Sequence, residues 1–223
     1  MDIAPLQAAA KKIEADGIDG LNSAAQLIGL PSALALLVAL LRRYYGSLDT
    51  WPADPDIDGR VMTDMMREVP AVQRYLSSDC AFFYTYEWDC FDNFSAYAVE
   101  WNGRVWPTAE HAYQSAKFEA EHMIERIFNA RSAHDAKKIA NAPQYAHLIR
   151  ADWQEVKLGV MEEILRAKFA QHEYVRKKLR DSRGRLLVED SQRDAYWGRG
   201  PNWNGENWLG RLWMKLRDEH FPV

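Results

Sequence analysis

Residues 96–118 read AYAVEWNGRVWPTAEHAYQSAKF, and this stretch decides the fold class. The β-prone residues on either side of Asn102-Gly103 predict a hairpin, because Asn-Gly readily adopts the positive φ angles of a type I′ turn. Directly afterwards, Thr108 is a suitable N-cap for a helix over residues 109–121. A hairpin that leads straight into a capped helix indicates an α+β domain.

The segments outside this stretch agree with that class. Apolar residues recur at helical spacing from Trp153 to Phe169, and again from Leu209 to Leu216 after the glycine-rich loop 198–205. Two short segments, Ala81–Tyr86 and Leu186–Val188, are β-prone. We therefore expect a helix-rich α+β fold with a small hairpin or sheet.

The first 76 residues predict a helical N-terminal extension to a domain over residues 77–223. The apolar run from Leu27 to Leu41 is short for crossing a bilayer and indicates a buried helix. Residues 47–59 are rich in Pro and Asp and predict a linker or surface loop. The extension either packs on its own domain, which is the favoured interpretation, or serves an interaction such as oligomerisation.

Composition and charge exclude some functional classes. The 223 residues carry a formal net charge of -4 and a pI of about 5.9. This balance argues against general coating of nucleic acid, but it leaves open a small anionic ligand or one locally held nucleotide. Cys80 and Cys90 are interpreted as free thiols, and no spacing predicts a metal or cofactor site. No secretory signal is evident, so we expect a cytoplasmic protein without a membrane partner.

A polar stripe on the predicted helix, formed by Glu110, Gln114, Lys117 and Glu121, has two interpretations. It is either a solvated surface with spaced charge pairs, which spacing alone favours, or a functional face. In the functional interpretation, the carboxylate of Glu110 and the amine of Lys117 lie two turns apart and address one ligand.

The functional interpretation suits cleavage of a glycosyl C–N bond. That reaction needs negative charge near the anomeric carbon and a proton for the departing nitrogen. Glu110 would supply charge or proton transfer, and Lys117, if its pKa were lowered, would attack the sugar carbon. Trp101, Trp106 or Trp197 would hold the base or the sugar by stacking.

Several motifs resemble the YbiA-like, or NADAR (NAD- and ADP-ribose-associated), family. They occur in the family's order over about residues 81–220, and they include FDNFS at 91–95, WPTAEHAYQSAKF at 106–118, RADW at 150–153, AKF at 167–169, LVE at 187–189 and WG at 197–198. The resemblance implies an α+β domain with N-glycosidase activity and no metal. The first 80 residues lie outside it.

The resemblance also implies which residues form the site. The catalytic candidates are Glu110, Lys117 and Asp194, and part of the family implies a lysine Schiff base at the position of Lys117. The substrate-binding candidates are Asn93, Phe94, Trp106, His111, Gln114, Trp197, Gly198 and Asn207. Of these, Asn93 and Asn207 could equally be turn or cap residues.

Two substrate classes follow from the resemblance: ribosylaminopyrimidine phosphates of early riboflavin synthesis, and ADP-ribose attached to guanine. The chain departs from the family pattern at Asp92, where a small residue is usual, and at Asn141-Ala142-Pro143, which stands near the expected Gly-Arg pair. These departures leave the substrate open. They also motivate a second hypothesis, a nucleotide or ADP-ribose binding module that has lost catalysis.

Overall fold

The structure, a computed structural model, describes residues 80–83, 87–191, 193–200 and 205–222. The predicted N-terminal helices, the loop over 47–59 and the boundary at residue 76 lie outside the described residues. The strands within the described ranges are β1 (Cys80–Phe82), β2 (Val99–Trp101), β3 (Arg104–Trp106) and β4 (Leu186–Val188). The α-helices there are α1 (Ala109–Ser115), α2 (Glu121–Phe128), α3 (Ala133–Ala140), α4 (Trp153–Gln171), α5 (Glu173–Asp181) and α6 (Trp208–His220).

These elements confirm the predicted helix-rich α+β class. Short 3₁₀ helices over Asp89–Phe91 and Pro143–Leu148 complete the regular structure of the described ranges. No helix among them combines the length and the apolar composition that a membrane span requires. By its internal contacts the chain divides into two compact units, Phe83–Arg183 with Lys215–Val223 and Met1–Phe82 with Gly184–Met214.

The hairpin forms as the sequence predicts. Strands β2 and β3 pair antiparallel, with Val99 opposite Trp106 and Trp101 opposite Arg104. The turn residues Asn102 and Gly103 have φ angles of 51° and 74°, the positive values that a type I′ turn needs at both central positions. The hairpin is tied to α4, because Gln171 accepts a hydrogen bond from Glu100 N and donates one to Glu100 O, both at 2.8 Å.

The helix after the hairpin is shorter than predicted. The sequence indicated a helix over residues 109–121, but α1 ends at Ser115 and a new helix starts at Glu121. Between them Phe118 pairs with Ile149 in an isolated β-bridge, and Arg150 N donates to Lys117 O at 2.8 Å. The chain is extended here because this placement brings the ring of Phe118 into an apolar cluster. The other buried members of that cluster are Met123, Ile127, Ala136 and Ala140.

The second unit contains the other strand pair. Strands β1 and β4 run parallel with Cys80 opposite Leu186, and all three residues of β4 are buried. The side chain of Asn207 accepts from Glu189 N at 2.9 Å and donates to Leu187 O at 2.9 Å. Asn207 therefore fixes the start of α6 to the backbone of β4.

Candidate active site

Glu110 lies in the first turn of α1, a helix whose seven side chains are all buried. Thr108 caps this helix, since its Oγ1 accepts from His111 N at 3.3 Å. The carboxyl of Glu110 is only 4% exposed and accepts a hydrogen bond from Gln114 Nε2 at 2.7 Å. Burial raises the pKa of Glu110 to about 7, and the bond from Gln114 opposes this change. The solvated-surface interpretation is therefore wrong for Glu110 and Gln114, whereas Glu121, at the start of α2, is exposed as that interpretation expected.

Lys117 lies in the turn after α1 and not on the helix itself. Its side chain is 7% exposed, and its Nζ donates to Asn141 Oδ1 at 2.9 Å. The same nitrogen lies 6.0 Å from the ring centroid of Trp153, which in turn packs on Tyr113. Burial lowers the pKa of Lys117 to about 8, while the negative charge of Glu110 opposes the decrease.

Glu110 and Lys117 thus form an acid–amine pair that changes protonation close to neutral pH. Each side chain acts on the other's charge, and Lys137 acts on both. A carboxyl with a pKa near 7 is suited to donating a proton, and an amine with a pKa near 8 is partly neutral and nucleophilic at pH 7. Groups with such altered pKa values are characteristic of reactive sites, although structural ion pairs also produce them.

The loop before the hairpin contacts α1 through its backbone. Asn93 O accepts from Glu110 N at 3.0 Å, and Asn93 Nδ2 donates to Met161 Sδ at 3.3 Å. Within the described residues, neither Asn93 Oδ1 nor Gln114 Oε1, both buried, has a hydrogen-bond partner. Two buried acceptors of this kind, near Glu110, are available to hydroxyl or amino groups of a ligand.

Phe94 and Asp92 have different roles in the same loop. Phe94 is 36% exposed, with Lys137 Nζ 5.6 Å from its ring centroid. Asp92 Oδ1 accepts from Phe94 N at 3.0 Å, which is a turn-forming contact. Burial raises the pKa of Asp92, and the hydrogen bond from Phe94 N opposes that change. The departure at position 92 is thus accommodated as a turn residue.

Two predicted substrate contacts, Trp106 and His111, are engaged inside the protein. The ring of Trp106 is buried against Phe128, and its Nε1 donates to Trp101 O at 3.1 Å. His111 Nδ1 lies 2.8 Å from Thr108 Oγ1 and its Nε2 lies 3.3 Å from Ala130 O. A ligand contact through either ring nitrogen would displace one of these bonds, so both roles stay predictions.

The remaining predicted site residues belong to the second unit. Asp194 Oδ1 accepts from Tyr196 N and Trp197 N at 3.0 and 2.8 Å, so Asp194 shapes its own turn. Trp197 packs edge-on against Tyr196. A Cβ at Gly198 would lie 2.8 Å from Ser191 Cβ, so close packing explains this glycine.

Asn207 is 0% exposed, and both polar atoms of its side chain bond to the backbone at β4. Of the two interpretations left open by the sequence, a turn or cap residue describes it better than a ligand contact. The roles of Asp194, Trp197 and Gly198 in a site stay predictions.

Sequence reasoning missed Asn141, Lys137 and Trp153 as neighbours of the acid–amine pair. Asn141 was noted only as a departure from the family pattern, and its position 24 residues beyond Lys117 gives no local signal of their contact. Lys137 lies on α3, where a lysine is usually an exposed helix former. Trp153 was part of a family motif, which is the one signal that could have indicated it.

Comparisons with known proteins agree with this picture. The N-glycosidase YbiA of Shigella boydii is 40% identical over 129 residues, which cover 58% of this chain and 79% of that protein. The riboflavin biosynthesis protein PYRR of maize (chloroplastic) is 34% identical over 164 residues, or 67% of this chain. The chain spans only 26% of the maize protein's length.

A solved structure and a family profile complete the comparison. The NMR structure of the Escherichia coli protein YbiA matches with a TM-score of 0.58 at 36% identity, covering 63% of this chain and 84% of that one. The profile of the NADAR domain matches residues 82–220. That match spans more than half of the sequence and includes every predicted site residue, and the chain belongs to the NADAR domain family.

Proposed function

We propose that this protein is an N-glycosidase that hydrolyses the bond between a ribose carbon and a nitrogen of its base. The observation that carries the proposal is the buried pair of Glu110 and Lys117, with pKa values of about 7 and about 8. YbiA from Shigella boydii and a relative from Nostoc punctiforme are both named N-glycosidases, which supports the same class.

In the proposed reaction Glu110 begins as the neutral acid. It donates its proton to the departing nitrogen as the C–N bond breaks, and the resulting carboxylate stabilises positive character at the sugar carbon. Water then adds at that carbon, and its proton returns to Glu110. The products are the free base and a sugar with a new hydroxyl, so the atoms of one water molecule are consumed.

Lys117 has one of two roles in this scheme. As a neutral amine it attacks the sugar carbon and displaces the base; the ring C–O bond then breaks, its oxygen takes a proton, and the open-chain sugar is held as a Schiff base that water hydrolyses to the free sugar and the free amine. As an ammonium ion it holds the sugar or its phosphate. Its bond to Asn141 and its position beside the Trp153 ring support either role, since both orient the nitrogen.

For the substrate, we place ribosylaminopyrimidine phosphates first. Two relatives, from maize and from Vibrio vulnificus, are named riboflavin biosynthesis proteins, although this chain spans only 26% and 34% of their lengths. ADP-ribosylated guanine, the other class implied by the family resemblance, is the second candidate. The two differ in whether guanine or a monocyclic pyrimidine must be released.

Incubation of the purified chain with each substrate, followed by mass spectrometry of the products, tests the proposal. We expect release of the free base and the corresponding ribose product from one of the two. Glu110→Ala and Lys117→Ala should abolish release, whereas Glu119→Ala, at an exposed position near Lys117, should retain it. Absence of turnover on both substrates, or full activity in both site variants, contradicts the proposal. Tight binding of ADP-ribose without turnover favours the binding-module hypothesis instead.

A further inference from the structure

A groove of about 490 Å³ opens between the end of α2, the start of α3 and the 3₁₀ helix over Pro143–Leu148. The groove follows α3 from Asp135 to its C-terminal end, and its lining includes three basic side chains, Arg126, Arg131 and Lys138, and the ring of Tyr145. The volume lies within the range of small-molecule sites. Nothing in the proposed reaction uses these residues.

This groove and the acid–amine pair lie on different faces of α3. Lys137 and Lys138 are consecutive and therefore point about 100° apart around the helix. Lys137 lies over Phe94 and acts on the charges of Glu110 and Lys117, whereas Lys138 lines the groove. A ligand in the groove would therefore be separate from one at Glu110.

The charge in the groove is largely uncompensated. Within the part of the chain that the structure describes, none of the three basic side chains forms an ion pair. Asp135 is the one carboxylate among the lining residues, and it is occupied at the start of α3, where its Oδ2 accepts from Ser132 Oγ at 2.9 Å. The lining thus contains three positive charges and one negative charge on a protein whose net charge is -4.

One of the cations is also held in place. The guanidinium of Arg126 lies 5.3 Å from the ring centroid of Tyr145, in a cation–π contact. This contact already restricts the conformations of the Arg126 side chain. Less conformational entropy is therefore lost when the side chain binds an anion. The planar array of N–H donors of a guanidinium matches the oxygens of a phosphate.

We propose that this groove is a second binding site, for a small ligand that carries two or more phosphate charges. Three cations exceed what a single monoanionic group requires, and the groove is large enough for a diphosphate with an attached group. The overall negative charge of the chain disfavours a long polyanion and therefore favours a ligand of nucleotide size.

The test is a titration of the full chain with inorganic pyrophosphate, followed by two-dimensional NMR of the backbone amides at constant ionic strength. We expect concentration-dependent shifts at Asn129, Ala130 and Ala142, which line the groove. The double variant Arg131→Glu/Lys138→Glu should weaken binding at least about tenfold, because it replaces attraction with repulsion. A parallel titration with ADP asks whether a nucleoside increases the affinity.

A charge-matched control distinguishes an effect of the groove on pyrophosphate affinity from an effect of the protein's net charge. Lys177→Glu/Arg183→Glu makes the same change in net charge at exposed positions on and just after α5, and it should leave the affinity within about twofold. Equal weakening in both double variants, shifts confined to residues 109–117, or no shifts at low ionic strength would each overturn the proposal. The amide spectra also report whether each variant is folded.

Discussion

Two regions of the unit that contains α1 and α4 each bury a lysine, and they do so in contrasting ways. In the region around α1, Lys117 donates to the side chain of Asn141 and lies near a carboxyl group. In the region around α4, Lys168 donates to Asp92 O at 2.9 Å and to Ser95 Oγ at 2.8 Å, and it also faces the ring of Tyr97 at 5.2 Å. Burial lowers the pKa of both lysines to about 8.

A lowered amine pKa does not by itself identify a reactive lysine. Lys168 is 0% exposed and is held by a backbone carbonyl and a hydroxyl of the 92–95 loop, which is the pattern of a structural support. Acidic groups act on both lysines, since Cys90, Asp92 and Asp89 affect Lys168 as Glu110 affects Lys117. The Nζ of Lys117, however, has a single hydrogen-bond partner among the described residues, the side chain of Asn141. The identity of the partners, and not the pKa, separates the two lysines.

The strongest test of this contrast replaces each lysine by methionine. Lys117→Met should lower kcat at least about a thousandfold with little change in stability, because it removes a group of the reaction. Lys168→Met should lower the free energy of unfolding by about 2 kcal/mol, because it leaves buried acceptors without donors. Steady-state kinetics and urea unfolding of both variants measure the two effects.

Lys168→Arg serves as a partial control, since it keeps a cation at the loop. If Lys168→Met loses kcat as severely as Lys117→Met while remaining as stable as the wild type, the assignment of structural and reactive lysines is wrong.

Glu110 provides a test based on stability. Its carboxyl is neutral in both states below its ordinary pKa of 4.5, but between pH 4.5 and 7 the folded chain keeps a proton that the unfolded chain has lost. The free energy of unfolding therefore falls as the pH rises through this range. Above pH 7 it is lower than below pH 4.5 by on the order of 3 kcal/mol. Glutamine does not ionise, so Glu110→Gln does not lose stability in this way. The free energy of unfolding of Glu110→Gln minus that of the wild type should therefore increase from pH 4.5 to 8.

Urea unfolding of the wild type and Glu110→Gln at pH 4.5, 6 and 8 measures this difference. A difference that stays constant with pH would show that Glu110 is ionised in the folded protein as readily as in water. The acid role proposed for it would then fail.

The pH dependence of kcat/KM tests the pair together. If Glu110 must be protonated and Lys117 neutral, activity rises up to about pH 7, is flat to about pH 8 and then falls. At pH 5 and at pH 10 it should be about fiftyfold below the plateau. A profile in which activity falls on only one side of the plateau would show that one of the two groups does not take part in the reaction.

The smallest expected effect concerns Asn141, which we regard as a positioning residue. Asn141→Asp places a negative charge against Lys117 Nζ, beside the existing charges of Glu110 and Lys137, and should raise the pKa of Lys117. The upper limb of the pH profile then moves to higher pH, and the plateau falls about tenfold for each pH unit of that movement. Asn141→Ala, which adds no charge, should not move that limb upward.

Local signals were sufficient for much of the fold. Asn102-Gly103 predicted the hairpin because the backbone requirement of the turn is met by these two residues alone. The last helix and the long α4 followed from apolar spacing. The end of α1 was missed because Ser115 and Ala116 are compatible with a helix, and the choice is made by the packing of Phe118 in a distant cluster.

The site was predictable only in part for the same reason. The motif around Glu110 and Lys117 indicated the pair and the family, and the comparisons confirm the family. The contact with Asn141 and the influence of Lys137 depend on how α3 packs, and no residue spacing encodes that. Asn207 was ambiguous in the sequence because an asparagine side chain can serve a turn or a ligand, and its bonds to the backbone of Leu187 and Glu189 favour the first role.

The burial of all seven side chains of α1 has a consequence for mutational tolerance. Because α1 has no solvent-exposed face, a substitution at any of its positions alters packing in the interior. The segment that contains Glu110 is therefore poorly suited to the stepwise accumulation of mutations. Altered specificity would arise more readily at partly exposed neighbours such as Phe94, where a new side chain can meet a ligand without repacking the interior.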